Sequence, residues 1–340
     1  MRKYLKIVLI WLSIVSYSLA IGSSVALAAS TTTSPNPVNN GQALEIAPPL
    51  IYLTVNPGQT TSTQVLIRNI SSGNLLVTEQ VNDFVAAGEN GTPKILLNND
   101  TNDPYSLKNW VSSLPSFLLI PKQTKTLTVT LNIPSNASPG GHYGVVRFTA
   151  TPPSLAGTSG VSLSTSLGAL FLVTVSGKLT EKVTLQSYTV NQGGKTKTSN
   201  IFESTPLNFV VQLHNLGNIQ EQPTGQIVIS DMFGRKLADV NVNLPPANIL
   251  PQSIRQFTEP FDKTVIGNKR LFGRYTAALS VTYGASHKVL TASLVFWVIP
   301  FKLIAIVIII LVAGFFILRY FIRRYNRHVL SKSGRSSRRR

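Results

Sequence analysis

The sequence predicts an all-β protein made of two tandem immunoglobulin-like β-sandwiches followed by a single transmembrane α-helix. Short apolar stretches separated by turn residues fill the region between residues 44 and 297, which has no long 3.6-residue periodicity. Several landmarks in this region occur twice in the same order. A stretch of sixteen uncharged residues, Leu303 to Leu318, then lies directly before a cluster of arginines. These three observations carry the prediction.

The positive charge of the chain is concentrated at its two ends. The chain carries 31 Lys and Arg residues against 13 Asp and Glu residues, which gives a net charge of +18. Three of the basic residues lie among the first six positions and ten lie in the last forty, whereas all the acidic residues lie between residues 30 and 300. Membrane topology accounts for such an arrangement, so the high charge does not indicate a nucleic-acid partner.

Residues 1–29 have the organisation of a secretory signal peptide. Three basic residues precede an apolar stretch from Ile7 to Ile21, and Ala26-Leu27-Ala28 is a small-x-small cleavage pattern. An uncleaved signal anchor is the alternative interpretation. Residues 30–43 are polar and contain prolines, so we expect them to form a linker to the first folded module.

A single transmembrane helix is predicted over residues 298–318. The uncharged stretch from Leu303 to Leu318 would be about 24 Å long as a helix, and its extension back to Val298 gives about 31 Å, the thickness of a hydrocarbon layer. Arginines follow at once in the basic segment 319–340, which favours a cytoplasmic position for this tail and an external position for the preceding domains. The predicted protein therefore crosses the cell membrane once. A buried core helix is the alternative.

The external region divides into residues 44–176 and residues 177–297. In the first half we expect seven strands near residues 50–55, 63–69, 75–84, 117–120, 125–133, 143–150 and 161–175. The second half repeats the plan of the first. The repeated landmarks are an Asn after a strand (Asn69 and Asn215), a Pro-containing turn (120–127 and 250–257) and a Gly-x-Tyr motif (141–143 and 273–275).

Tyr143 and Tyr275 are predicted to be structural residues. Each resembles the tyrosine corner of such sandwiches, in which the hydroxyl bonds to a backbone group of the preceding corner. A ligand role is the alternative. Trp110 lies in a predicted helical turn over residues 106–113 and is expected to close one end of the first core. The chain has no cysteine, so its cores rather than disulfides must stabilise it.

Several motifs of the first module resemble one family of bacterial surface proteins. They are ValAsnProGlyGln (55–59), GluAsnGly (89–91), SerLeuLysAsnTrpVal (106–111), the strand and turn of residues 120–134, and ProGlyGlyHisTyrGlyValValArgPhe (139–148). This pattern resembles the N-terminal peptidoglycan-binding domain of the WxL-interacting proteins over most of residues 44–176. The resemblance implies that the first module binds peptidoglycan and that the second contacts WxL proteins or host components, although the second module matches weakly. It implies no catalytic residue.

The sequence contains few residues or motifs that indicate a catalytic site. Its four histidines are isolated, and it has no Gly-x-Ser-x-Gly motif, phosphate-binding loop or cysteine nucleophile. Asp83 and Glu89 are candidates for a glycosidase pair, and Asp100 and Asp103 are candidates for a calcium site that lacks a third nearby acid. Nothing else in the sequence supports either pair. We therefore predict a protein that is not an enzyme and that uses no cofactor or metal.

Binding is predicted to reside in loops, because the inward residues of the strands must fill the cores. The candidates share polar or aromatic side chains that can hydrogen-bond to glycan or stack on it, and they are Asn98, Asp100, Asn102, Asp103 and Tyr105. A solvated loop is the alternative.

The predicted function is a membrane-anchored adhesion or scaffold protein that holds a cell-wall polymer or another surface protein. One alternative is an accessory, chaperone-like subunit of a membrane or secretion assembly that uses its sheet edges. A surface hydrolase is the third interpretation.

The predicted topology can be tested with single cysteines, because the chain has none of its own. In intact cells, Ser72→Cys should react with a membrane-impermeant thiol reagent, since residue 72 lies in the external region. Ser333→Cys should react only after the cells are opened. Labelling of Ser333→Cys in intact cells would contradict the orientation.

Overall fold

A computed structural model describes residues 44–97, 103–152, 165–195, 197–267 and 269–333 of the chain. The predicted fold class is confirmed in these residues, which form two immunoglobulin-like sandwiches and one long apolar helix. The predicted signal peptide and the predicted linker lie outside the described residues.

The described residues of the first sandwich form nine strands. They are β1 (Leu44–Ala47), β2 (Leu50–Val55), β3 (Thr60–Asn69), β4 (Leu75–Ala87), β5 (Thr92–Leu96), β6 (Phe117–Leu119), β7 (Thr124–Asn132), β8 (Gly140–Thr151) and β9 (Thr165–Val175). One sheet has the order β1-β3-β7 and the other has the order β2-β9-β8-β4-β5, with β6 also paired to β4. A 3-10 helix at Lys108–Trp110 lies within the predicted helical turn. The sequence pattern did not indicate β1 or β5.

In the second sandwich, the part of the chain that the structure describes forms eight strands. They are β10 (Val183–Gln192), β11 (Ile201–Phe202), β12 (Leu207–Asn215), β13 (Thr224–Asp231), β14 (Lys236–Val242), β15 (Ile254–Phe261), β16 (Gly273–Tyr283) and β17 (Lys288–Val298). One sheet has the order β10-β12-β15 and the other has the order β11-β17-β16-β13-β14. A short helix α1 (Lys263–Ile266) follows β15.

Alternation of buried and exposed residues places one face of most strands in a core. Leu127, Val129 and Leu131 on β7 are buried, as are Val146 and Phe148 on β8, which confirms the predicted inward face. Each such side chain contributes about 1.5–3 kcal/mol when it is removed from water. Burial on this scale is the main term available to a chain without disulfides.

The repeat is visible in the hydrogen bonds of two buried asparagines. Asn69 ends β3 and donates from Nδ2 to the carbonyl of Leu119 at 3.1 Å and to a carbonyl four residues further along the chain at 2.8 Å. Asn215 ends β12 and donates in the same way to Ile249 at 2.9 Å and to the carbonyl four residues on at 2.7 Å. Both side chains are fully buried. The same residue type therefore closes the same corner in each sandwich.

The junction between the sandwiches uses Tyr143 in a way that the sequence did not predict. Its hydroxyl donates to Oε1 of Gln220 in the second sandwich at 2.9 Å, so the expected bond to its own corner is wrong. The backbone N–H of Gly141, two residues earlier, donates to the carbonyl of Asn218 at 2.7 Å. The Gly-x-Tyr motif of the first sandwich therefore forms part of the junction, because the second sandwich lies directly against this corner.

Tyr275 occupies the equivalent place in the second repeat and bonds locally. Its hydroxyl accepts from the backbone N–H of Phe272 at 3.1 Å and lies 3.2 Å from the carbonyl of the same residue. Its ring stacks on Phe296 with centroids 5.6 Å apart. This tyrosine therefore ties the loop before β16 to the core.

The long helix α2 (Phe301–Ser333) begins and ends later than predicted. Val298 is the last residue of β17, where it pairs with Gly273 and is buried, so the predicted helix start at residue 298 is wrong by three residues. Pro300 lacks an N–H and ends the strand pairing. The segment Phe301–Tyr325 is long and apolar enough to cross a membrane, and its most apolar window is entirely unburied by the rest of the chain. The helix continues into the predicted basic tail.

A buried carboxyl also lies at the junction. Glu221 is only 3% exposed, and one of its side-chain oxygens has no hydrogen-bond partner within the described part of the chain. Burial, aided by the nearby negative charge of Glu181, raises the pKa of Glu221 to about 7. The folded chain therefore holds a proton on Glu221 at a pH where the unfolded chain has released it.

Glu221→Gln should remove a pH dependence of stability. The pKa is raised on folding from 4.5 to about 7, so the free energy of unfolding should fall as pH rises across this interval. The variant should lack this decline and should exceed the native chain at pH 8 by on the order of 2–3 kcal/mol. Hydrogen exchange of second-module peptides, in the detergent-solubilised chain, measures the difference. Glu45→Gln, at an exposed ion pair with Arg68, controls for the loss of one carboxylate; an equal effect there would contradict the assignment.

Candidate functional site

A polar cleft of about 540 Å³ lies in the first sandwich, between the segment 103–110 and the turn 134–142. We call it the Trp110 cleft. Its walls combine one indole with hydroxyl, amide, carboxylate and ammonium groups. The lining residues are Val81, Asp103, Pro104, Ser106, Lys108, Asn109, Trp110, Pro134, Asn136, Ala137, Ser138 and His142.

A buried carboxylate on β4 holds one wall of the cleft. Asp83 accepts from the backbone N–H groups of Leu107 and Lys108, each at 2.9 Å, and from the hydroxyl of Ser106 at 2.6 Å. The ammonium of Lys108 lies 3.9 Å from the same carboxylate. Bonds to an ionised acceptor are about twice as strong as neutral ones. Asp83 therefore fixes the segment that carries Trp110.

A second tie runs across the cleft through His142. Its Nδ1 lies 3.1 Å from the carbonyl of Ser106 and its Nε2 lies 3.0 Å from the carbonyl of Ser138. The ring contacts Trp110, with centroids 4.2 Å apart and planes at 42°. His142 is 4% exposed and each of its ring nitrogens lies beside a carbonyl oxygen, so the ring joins the two walls and is shielded from solvent.

The chemistry of the Trp110 cleft suits binding rather than catalysis. An indole offers a flat apolar surface, and Asn109, Asn136 and Ser138 are exposed polar groups around it. Asp83, the acid considered as half of a glycosidase pair, is buried under three hydrogen bonds. Its proposed partner Glu89 instead accepts from Nε2 of Gln212 in the second sandwich at 2.6 Å. The two acids are thus committed to different structural contacts.

The structure describes two of the five predicted binding residues, Asp103 and Tyr105. Asn98, Asp100 and Asn102 lie outside the described residues. Asp103 lines the Trp110 cleft, and its carboxylate accepts from the backbone N–H of Tyr105 at 2.9 Å, which forms a turn. Tyr105 instead packs beside Tyr143, with ring centroids 6.3 Å apart, in the small cluster at the junction. Tyr105 is half-buried, so part of its ring is used in this contact, and its stacking on glycan stays a prediction.

The sequence analysis missed Trp110 and His142 as members of a site. Trp110 was assigned to the core, and it does pack against core residues while also lining the cleft. A tryptophan in a polar segment next to the predicted binding loop was the available signal. In the described part of the chain, no three His, Asp or Glu side chains come together as a metal-binding group.

A smaller, more apolar cavity of about 250 Å³ lies between the two sandwiches. We call it the inter-module cleft. Leu50 and Tyr52 on β2 line one side, and Leu250 and Arg255 line the other. The hydroxyl of Tyr52 accepts from Nδ2 of Asn248 at 2.6 Å, and burial lowers the pKa of Arg255. In the described sheet β2 is an edge strand, paired only with β9.

Comparisons with known proteins assign no family to the chain. No protein-family model matches the chain, and no curated protein matches it. The chain is similar to the YadV chaperone at 11% identity, with 75% of this chain and 100% of that chain covered and a TM-score of 0.36. It is similar to a chaperone–tip adhesin complex of CFA/I fimbriae biogenesis at 14% identity, covering 75% and 99%, with a TM-score of 0.38. It is also similar to the E. coli chaperone DraB at 15% identity, covering 74% and 98%, with a TM-score of 0.35. Likenesses this distant carry no argument about function.

Removal of the buried carboxylate should loosen the segment that carries Trp110. Asp83→Asn retains the size of the side chain but loses a charged acceptor of three hydrogen bonds, at a cost of about 1.5–3 kcal/mol. We expect faster hydrogen exchange and easier proteolysis of residues 103–112. Asp239→Asn, at a surface ion pair with Lys236, is the matched control. Unchanged exchange in Asp83→Asn would show that the segment is held by other contacts.

Proposed function

We propose that this chain is a membrane-anchored, non-enzymatic binding protein whose first sandwich holds an envelope glycan in the Trp110 cleft. The observation that carries the proposal is the indole of Trp110, which lines an open polar cleft and is braced by His142. Sugars offer apolar C–H faces for stacking and hydroxyls for the surrounding amides. Because Asp83 and His142 hold the walls before a ligand arrives, little ordering cost remains on binding.

The helix α2 supports the anchoring part of the proposal. Its apolar surface is exposed over Phe301–Tyr325, as a membrane-spanning helix requires. The basic residues that follow favour a cytoplasmic C-terminus, so both sandwiches would lie outside the cell. The resemblance of residues 44–176 to WxL-interacting proteins makes peptidoglycan the first polymer to test.

Trp110→Ala should weaken retention of the detergent-solubilised chain on insoluble purified peptidoglycan. Loss of one stacked aromatic should cost at least about 1.4 kcal/mol, a tenfold change in affinity. The double variant Asn109→Ala/Asn136→Ala changes exposed side chains of the cleft and should reduce retention without altering the core. Chelator in the buffer should have no effect. Retention unchanged in both variants would exclude the Trp110 cleft as the glycan site.

A chaperone-like clamp is the second candidate function. One observation favours it: the edge strand β2 lies beside the apolar inter-module cleft, where a partner strand could pair with the sheet and place a side chain in the cavity. The volume of about 250 Å³ suits only one or two side chains.

Tyr52→Ala separates the two candidates. Under the glycan proposal this variant should retain peptidoglycan, because Tyr52 lies outside the Trp110 cleft. Under the clamp alternative it should instead weaken binding of an alternating apolar–polar strand peptide, and Trp110→Ala should not. Binding of the peptide and failure to bind peptidoglycan would replace the first proposal with the second.

A further inference from the structure

The second sandwich has an unusual surface at the end from which α2 leaves. Strand register places several segments together at this end: the β13–β14 turn follows Asp231, which pairs with Tyr275, and the start of β16 pairs with the end of β17. Residues 269–272 lead into the same strand β16. We call this surface the helix-proximal end.

Large apolar side chains are exposed at the helix-proximal end. Phe233, in the β13–β14 turn, is 74% exposed, and Phe272, before β16, is 63% exposed. Trp297 on β17 and Phe301 at the start of α2 are 41% and 53% exposed. Aromatic residues gathered around the start of an apolar helix are typical of the membrane–water interface.

A basic cleft lies beside these aromatic residues. It has a volume of about 560 Å³, and Lys263, Lys269 and Arg270 line it together with Pro300 and Leu303 from the first turn of α2. The acidic residue that lines it, and the acidic residue next to Lys263 in the sequence, are already engaged. Glu203 pairs with Lys302 at 3.2 Å, and the carboxylate of Asp262 accepts from the N–H and hydroxyl of Thr264. In the described part of the chain, Lys263, Lys269 and Arg270 form no ion pair.

The start of α2 is fixed relative to this cleft. The N–H of Ile299 donates to the carbonyl of Phe202 at 2.8 Å, and the N–H of Ile304 donates to the carbonyl of Pro300 at 3.0 Å. The ion pair of Lys302 with Glu203 adds a further contact to the sandwich. If α2 spans the bilayer, its first turn lies at headgroup depth, and the basic cleft that this turn lines lies there too.

We propose that the helix-proximal end rests on the bilayer and that its basic cleft binds the phosphate headgroup of an anionic phospholipid in the membrane that α2 crosses. This inference rests on the membrane anchoring of the proposed function. Phe233 and Phe272 enter the interface, while Lys263, Lys269 and Arg270 are attracted to the anionic surface. These contacts fix the orientation of the second sandwich relative to the membrane, so the domain does not rotate freely about the start of α2.

Spin labels on single cysteines test this arrangement, since the chain has no cysteine of its own. The full chain is placed in nanodiscs of phosphatidylcholine, with or without phosphatidylglycerol. Labels at Phe233→Cys and Phe272→Cys should be shielded from a water-soluble nickel chelate, and more strongly when phosphatidylglycerol is present. A label at Val289→Cys, at the opposite end of the sandwich, should stay open to nickel in both lipids.

Variants that remove positive charges test whether the basic cleft is the site that binds the anionic lipid. Lys263→Gln/Lys269→Gln/Arg270→Gln should abolish the extra shielding that phosphatidylglycerol gives at residue 272. Lys94→Gln/Lys122→Gln/Lys178→Gln removes three exposed charges of the first module and its connection, and should leave that shielding intact.

The outcomes separate this inference from the anchoring itself. A label at Ile310→Cys reports whether α2 is inserted. If Ile310 is shielded but residues 233 and 272 are as open to nickel as residue 289, the inference is overturned and the anchor stands. If Ile310 is itself open, the membrane span fails. If inorganic phosphate added to phosphatidylcholine discs reproduces the phosphatidylglycerol effect, the cleft takes a free anion and the lipid assignment is wrong.

Discussion

Phe209, Phe261 and Phe296 meet at the centre of the second sandwich, with ring centroids 5.5, 5.8 and 6.4 Å apart. The first two rings come from the three-stranded sheet and the third comes from β17 in the other sheet, so the cluster joins the two layers. In a chain without disulfides, this cross-sheet burial sets the position of β17. Because α2 follows β17 after two residues, the same packing determines where the apolar helix leaves the domain.

The junction between the sandwiches combines apolar burial with polar contacts. The polar contacts make its geometry specific, but the burial of polar groups costs free energy. Tyr143 bonds to Gln220 across it, and Arg255 donates to the carbonyl of Asn248 at 2.6 Å beside the inter-module cleft. Gly91 is favoured there because its φ of 73° lies in the left-handed region that side chains rarely adopt, and the guanidinium of Arg255 packs against it. A buried, proton-holding Glu221 adds a penalty at high pH. Polar groups of this kind favour one arrangement of the two sandwiches over alternative arrangements held by apolar contacts alone.

Local patterns allowed most of the fold to be predicted, and tertiary contacts explain most of what was missed. Alternation along β7 and β8 identified the inward residues, since period-2 burial follows from strand geometry alone. The edge strands β1 and β5 were not predicted, because few of their residues are buried. Their pairing depends on strands that are distant in sequence. Of the candidate site, the sequence analysis identified the polar segment that includes Asp103 but not the brace between Trp110 and His142. Trp110 and His142 are 32 positions apart in the sequence, so no local periodicity predicts their contact.

The two Gly-x-Tyr corners show how one repeated motif serves two different needs. Tyr275 bonds to backbone three residues earlier and stacks on Phe296, so it closes its own corner beside the exposed helix-proximal end. Tyr143 occupies the matching position, yet the second sandwich lies against its corner and supplies a side-chain acceptor instead. Burial raises the pKa of Tyr143, which keeps the phenol neutral and able to donate. The motif therefore fixes a tyrosine at the start of a strand, while the neighbour of each corner decides whether its hydroxyl stabilises a loop or a junction.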